Sequence, residues 1–305
     1  SVTKLADAKN HGMIFFIDYS GSMRYDLPNV LNHTLNLVFF CKAVGIPFEV
    51  YGFTNPQTEH ETMQAEDINH RQISVAYTSV FELLNSTMKK GDYDLACRQL
   101  RAQSFLFFSP QNPRRGGFMP MASCYEQLWG TPLYETIIVA HELVKRFKQK
   151  HRVQKMNTIF LTDGDGGGFA FGQNRAGAEH CKKDVTTRVP YRARINGRQV
   201  DLMRGNPSFN YAALIENLRI TCGTTAIGFF ISTSRSQIKQ SAINALRHTK
   251  GNEIKDWAPA AEKVNSLLSQ LRKNKCMMIP NGFSFDEYFI ISGGDLKLDD
   301  DTTTS

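Results

Sequence analysis

The stretch Met13-Ile-Phe-Phe-Ile-Asp18, followed by Tyr19-Ser-Gly-Ser-Met23, decides how this 305-residue chain is interpreted. An uninterrupted apolar run, apolar on both faces, is typical of a central parallel strand that is covered by helices on both sides. The run ends in a carboxylate, and the loop after it carries two hydroxyls, Ser20 and Ser22. Polar side chains at the carboxyl end of such a strand predict a binding site at that edge of the sheet.

The elements after this strand predict an α/β fold with a mostly parallel sheet. Apolar residues recur at helical spacing over Leu27–Val44, and residues 48–53 are predicted as a second strand, so the three elements form a right-handed βαβ unit. Further helices are predicted at 133–150, 211–218, 236–248 and 260–272, and further strands at 157–163, 224–231 and 286–291. This alternation predicts a single doubly wound, Rossmann-like domain over residues 1–298, with helices on both faces of the sheet.

Two segments are predicted to be insertions into this domain. Residues 57–129 lack a clear alternation, and within them we expect helices at 79–88 and 93–106 and a loop at 109–120. Residues 185–203 alternate around Asn196-Gly197, which is the strongest short signal for a β-hairpin, and its outer face should be rich in arginine. The acidic tail 299–305 is expected to be disordered.

Composition and charge narrow the functional classes. Lys and Arg number 36 against 29 Asp and Glu, a net charge of +7, and 41% of the residues are hydrophobic. The basic excess is concentrated over residues 142–200, which is more typical of a solvated or protein-docking face than of a nucleic-acid groove. No apolar run approaches the roughly 20 residues of a membrane span. The cysteines are widely spaced and form no CxxC or CxxH motif, so neither a zinc knuckle nor a redox pair is predicted.

Five oxygen-bearing side chains are predicted to meet at one edge of the sheet. Asp18, Ser20 and Ser22 follow the first strand, Thr131 precedes a helix, and Asp163 ends a later strand. Carboxylate and hydroxyl oxygens suit Mg²⁺ or Mn²⁺, which prefer oxygen ligands and retain several waters. Because this set holds only two carboxylates, the cation should stay electrophilic and accept an Asp or Glu carboxylate from a protein partner.

These motifs, Asp18-Tyr-Ser-Gly-Ser22-Met, Gly-Thr131-Pro and Thr-Asp163-Gly, together resemble the metal-ion-dependent adhesion site of the von Willebrand factor type A (VWA) family. The resemblance implies direct metal binding by Ser20, Ser22 and Thr131, with Asp18 and Asp163 often acting through water. Residues 18–55 more narrowly resemble the VWA module of the cobaltochelatase T subunit and related bacteriophage-encoded modules. That resemblance implies a partner or adaptor of a MoxR-like AAA+ ATPase, and not a stand-alone enzyme.

Other functions stay open at this point. The same metal site suits an adhesion module on a virion or cell surface, and a magnesium site with carboxylates can also hydrolyse phosphoesters. Ser20, however, stands where haloacid-dehalogenase-type phosphatases have the second aspartate of their nucleophile pair. A turn in which Asp18 and the serines satisfy backbone donors would explain the first motif alone. We expect a cytoplasmic protein, virion-associated if phage-encoded, and further N-terminal sequence before Ser1.

Several neighbouring residues admit simpler interpretations. Tyr19 and Met23 either contact a partner at the rim of the site or are merely exposed, and Gly21 should allow a sharp turn between the two serines. The glycines at 164–168 lack the lysine and helix start of a phosphate-binding loop, so they are interpreted as flexible backbone beside the metal. Four other side chains at irregular spacing are interpreted as solvated or core residues: Asp165, His60, His70 and His180 beside Cys181.

Overall fold

The computed structural model describes residues 10–55, 73–74, 78–106, 128, 130–164, 170–171, 190–203, 206–249 and 256–293. The helices are α1 Leu27–Val44, α2 Lys90–Leu106, α3 Leu133–His151, α4 Pro207–Cys222, α5 Arg235–Arg247 and α6 Trp257–Asn274. The strands are β1 His11–Asp18, β2 Phe48–Thr54, β3 Ile73–Ser74, β4 Ser79–Asn85, β5 Lys155–Thr162, β6 Ala170–Phe171, β7 Pro190–Ile195, β8 Arg198–Met203, β9 Thr225–Ser232, β10 Cys276–Pro280 and β11 Glu287–Ser292. The expectations for 109–120, 165–168, 299–305, His60, His70, His180 and Cys181 lie outside the described residues.

A seven-stranded sheet organises the described residues, in the order β10-β11-β9-β5-β1-β2-β4. The five inner strands are parallel, and the edge strands β4 and β10 are antiparallel to their neighbours. From β1 the chain passes to β2 on one side and later to β5, β9 and β11 on the other. The strand order therefore reverses between β1 and β5, which is where open α/β sheets bind ligands.

Helices cover both faces of this sheet, which confirms the predicted fold class. Alternate residues of β1 point to opposite faces. Ile14 and Phe16 belong to the core beneath α3, α4, α5 and α6, whereas Phe15 and Ile17 belong to the core beneath α1 and α2. All four side chains are at most 2% exposed. Within the described residues, no helix is long and apolar enough to cross a membrane.

The prediction for α1 is confirmed at both ends. Pro28 lies in the first turn, and the helix ends at Gly45 with φ 75°, a left-handed conformation that favours glycine. Leu31 and Val38 are buried as expected, but Phe39 is 47% exposed. Phe39 follows Val38 by about 100° around the helix, which carries it off the buried face.

Residues 79–85 form a strand, so the helix predicted at 79–88 is wrong. Ser79–Asn85 pairs antiparallel with β2 at the edge of the sheet. Val80 and Phe81 suit a strand, and the ladder with β2 pairs backbone groups that a local helical pattern cannot take into account. The following helix, α2, is confirmed and begins slightly earlier than expected, at Lys90. The strand β10 was not predicted.

The hairpin predicted at 185–203 is present as β7 and β8 over residues 190–203, and residues 185–189 lie outside the described residues. Asn196 and Gly197 join the strands with φ 51° and 79°, the pair of positive values that a type I′ turn requires. Arg192 and Arg194 are exposed, as expected for the outer face, although Asp201 stands opposite Arg192. The inner face of the hairpin contributes Ile195, Val200 and Leu202 to the core that contains α3 and α4.

Candidate functional site

Asp18 is the centre of the predicted site and is held from two directions. It ends β1 and is fully buried. Its Oδ1 accepts a hydrogen bond from the Ser20 backbone N–H at 2.8 Å, and its Oδ2 accepts one from Thr162 Oγ1 at 2.6 Å. Thr162 is the last residue of β5, so these bonds tie the carboxyl ends of β1 and β5 together.

The two serines extend this cluster to Asp163. Ser20 Oγ and Ser22 Oγ lie 3.0 Å apart, and Ser22 Oγ donates to Asp163 Oδ1 at 2.8 Å. Four of the five predicted site residues are therefore joined through hydrogen bonds. The fifth residue is Thr131, whose Oγ1 lies 4.0 Å from the position that a Cβ on Gly164 would occupy. Because Gly164 directly follows Asp163, Thr131 lies close to the cluster.

The loop after β1 is anchored to β2. At three of its positions the burial or the backbone conformation differs from the expectation. The Tyr19 N–H donates to Phe53 O at 2.9 Å, which continues the strand pairing beyond Asp18. Tyr19 and Met23 are both fully buried, so their expected exposure at the rim is wrong. Gly21 has φ −62° and ψ −29°, an ordinary helical conformation, so a sharp glycine-specific turn is also wrong. The serines are brought together by the start of a 3-10 helix at Ser22.

The carboxylates of the site lie within electrostatic range of one another. Burial raises the pKa of Asp18 to about 7, with a further contribution from the charge of Asp163, against the lowering effect of the hydrogen bonds from Thr162 and Ser20. Burial likewise raises the pKa of Asp163, which the hydrogen bond from Ser22 opposes. Holding these groups ionised together is therefore unfavourable unless a positive charge is nearby.

Asp26 is a third carboxylate near the site, and the sequence analysis did not identify it. It precedes α1 and is 6% exposed. Burial and the charge of Asp163 raise its pKa. A Cβ on Gly293 would overlap the Asp26 carboxylate, so the backbone directly after β11 runs against it. The sequence signal for Asp26 was an acidic residue just before a helix. Such a residue is also explained by a favourable interaction with the helix dipole, so the signal did not indicate a site.

The donor set fits a hard divalent cation. Ser20, Ser22 and Thr131 offer neutral hydroxyl oxygens, and Asp18 and Asp163 offer charged ones, which is the ligand chemistry that Mg²⁺ and Mn²⁺ prefer. Among the described residues, no group of three or more His, Cys, Asp or Glu side chains is arranged to hold a metal. A cation at this edge would therefore depend on the hydroxyls as well as on the carboxylates.

Comparison with known proteins gives similarity at the level of structure only. No model of a known protein family matches the chain, and no curated protein does. The pilus adhesin SpaC from Lactobacillus rhamnosus GG is 14% identical over 89% of this chain and 31% of its own, with a TM-score of 0.42. Proximal thread matrix protein 1 from the mussel byssus is 12% identical over 89% of this chain and 50% of its own, with a TM-score of 0.33. The human COPII-coat protein Sec24c is 10% identical over 89% of this chain and 34% of its own, with a TM-score of 0.34. The chain spans half or less of each protein, and similarities this weak carry no functional argument.

Proposed function

We propose that this chain is a metal-dependent protein-binding module of the VWA type. Asp18, Ser20, Ser22, Thr131 and Asp163 would hold Mg²⁺ or Mn²⁺. The observation that carries the proposal is the hydrogen bond from Ser22 to Asp163, because it joins the loop after β1 to the residue after β5. This convergence lies where the strand order reverses.

The chain's own residues prepare this site for a carboxylate ligand. Thr162 and the Ser20 backbone fix the orientation of Asp18, while Ser22 is exposed, so the cluster is open to solvent on one side. A bound cation supplies an electrophilic position there, since only two of its five protein ligands carry charge. An Asp or Glu side chain from a partner is the natural group to bind at such a position.

The proposed biological role is that of an adaptor for a MoxR-like AAA+ ATPase in the cytoplasm, on the basis of the resemblance over residues 18–55. Affinity purification of the tagged chain in Mg²⁺ and in EDTA tests this role directly. An AAA+ ATPase retained in Mg²⁺ and released by EDTA is the expected result. Metal-dependent retention of virion or surface proteins instead would favour an adhesion module. Phosphoesterase activity that is lost in Asp18→Ala would favour a hydrolase.

Selection of displayed random peptides tests the docking chemistry without knowledge of the partner. Phage should be bound to the immobilised chain in Mg²⁺ and eluted with EDTA. We expect the eluted peptides to share an Asp or Glu whose replacement by Asn or Gln abolishes binding. Ser22→Ala and Thr131→Ala should lose this binding and remain folded, whereas Ser266→Ala, an exposed serine on α6, should retain it. Binders that lack acidic residues, or that resist EDTA, would contradict the proposal.

A further inference from the structure

We propose that Tyr25 selects which acidic sequences the site accepts, by packing its ring against an apolar side chain next to the partner's carboxylate. This inference rests on the proposed function, because it concerns the same docking event. It identifies a specificity-determining residue and the chemistry of the partner sequence: an Asp or Glu with an adjacent aliphatic or aromatic residue.

The position of Tyr25 follows from the short 3-10 helix Ser22–Tyr25. A 3-10 helix has three residues per turn, so side chains at positions i and i+3 lie directly one above the other. Tyr25 therefore stands on the same side of this helix as Ser22, whose hydroxyl donates to Asp163. A group that approaches Ser22 and Asp163 from solvent passes beside the Tyr25 ring.

The helix that carries Tyr25 is fixed to the protein core. Met23 lies within the same turn and is fully buried, and Asp26, directly after the helix, is 6% exposed. The Asp26 backbone N–H donates to Met23 O at 2.9 Å, which closes the turn. Because the backbone on either side of the ring is held, a partner can bind to Tyr25 at a low cost in ordering entropy.

The exposure of Tyr25 is the second observation. At 73%, it is the most exposed large hydrophobic side chain among the described residues. An isolated exposed aromatic residue needs no explanation elsewhere on a surface, but this one adjoins the predicted docking position. Tyrosine is enriched in protein interfaces because it buries a large apolar area with few rotatable bonds.

Electrostatic repulsion at this position favours an apolar partner residue over a cationic one next to the Tyr25 ring. Lysine or arginine could also stack on a tyrosine ring. However, the divalent cation of the proposed function would lie on the same side of the helix, at Ser22 and Asp163, and its charge disfavours a second cation there. An aliphatic or aromatic neighbour gains the burial of apolar area against the ring without this repulsion.

A peptide array tests the inference. Densely immobilised peptides of the form Gly-Gly-Asp-Xaa-Gly-Gly and Gly-Gly-Xaa-Asp-Gly-Gly, with Leu, Phe, Lys, Ser or Gly as Xaa, should be probed with the labelled chain in Mg²⁺ and in EDTA. In one of the two series, we expect the peptides with Leu or Phe as Xaa to bind the chain about tenfold more tightly than the peptide with Gly. This is the effect of a single well-buried contact. Tyr25→Ser should remove this preference and keep the dependence on Mg²⁺ and Asp.

Two further variants separate the ring from general surface effects. Tyr25→Phe retains the ring and should retain the preference. Phe40→Ser removes another exposed aromatic residue, 56% exposed on α1, and should also retain it. An unchanged preference in Tyr25→Ser, or a preference for Lys in the wild type, would overturn the inference and leave the proposed function intact. Wild-type protein that binds no acidic peptide in a Mg²⁺-dependent manner would contradict both.

Discussion

At the scale of the residue, Glu135 is a carboxylate whose burial affects stability. It lies in the first turn of α3, is 8% exposed, and its Oε2 has no hydrogen-bond partner among the described residues. Burial raises its pKa from 4.5 to about 7. Between these pH values the folded protein keeps a proton that the unfolded chain releases. The contribution of Glu135 to stability therefore falls as the pH rises from 4.5 to 7 and is constant above that range.

Glu135→Gln should remove this penalty. At pH 8 the variant should unfold at a higher temperature than the wild type, because glutamine avoids an ionisation cost of up to about 3 kcal/mol. At pH 4.5 the two proteins should differ little, because the wild-type carboxyl is then largely protonated when folded. Thermal unfolding at both pH values measures the difference. Glu142→Gln, at an exposed position on the same helix, serves as the control. A lower unfolding temperature of Glu135→Gln at pH 8 would contradict the prediction.

Some residues of the site could be predicted from the sequence, and others could not. Asp18 and Asp163 were predictable because a carboxylate at the end of a parallel strand lies at a known edge. Tyr25 was not, since its exposure depends on the phase of a 3-10 helix that places Met23 inside and Tyr25 outside. Asp26 was not predictable either, because its burial depends on Gly293, which is remote in the sequence.

At the scale of the element, the hairpin β7–β8 is part of the core and not an appendage. Leu202 is fully buried in the cluster that also contains residues of α3 and α4. The Asn210 side chain of α4 accepts a hydrogen bond from the Met203 N–H at 2.6 Å and donates to Met203 O at 2.9 Å. The end of β8 is therefore fastened to α4 by both apolar and polar contacts.

Leu202→Ala should destabilise the whole domain because it leaves a cavity between the hairpin and α4. The expected loss in the free energy of unfolding is about 2–4 kcal/mol. Gln199→Ala, at an exposed position on the same strand, should change it by less than about 0.5 kcal/mol. Denaturant unfolding of both variants gives the comparison. Equal stability of the two variants would mean that the hairpin does not pack against α4.

Elements with strong local signals were predictable, and those that depend on a neighbour were not. Gly45 ends α1, and Asn196-Gly197 turns the hairpin, through backbone conformations that these residues favour by themselves. The segment Ser79–Asn85 has no such signal, and its pairing with β2 makes it a strand. The short strand Cys276–Pro280 depends in the same way on pairing with β11.

At the scale of the whole molecule, the candidate site exists only because the doubly wound topology brings three distant segments to one edge. The parallel pairing of β1 with β5 places Asp18 beside Thr162, and the loop after β1 brings Ser22 to Asp163. The parallel part of the sheet could be expected from the alternation of helices and strands, but the antiparallel edge strands β4 and β10 could not. If these oxygens share one cation, binding of that cation should stabilise the folded chain.

Thermal unfolding across a series of MgCl₂ and MnCl₂ concentrations measures this stabilisation. A cation that binds only the folded chain stabilises it by about 2.7 kcal/mol at one hundred times its dissociation constant. The wild type and the control Ser266→Ala should therefore unfold at progressively higher temperatures, while Ser22→Ala and Thr131→Ala should fold but lose most of the increase. An unfolding temperature of the wild type that stays constant up to millimolar metal, or an equal increase in all four proteins, would contradict a shared cation site.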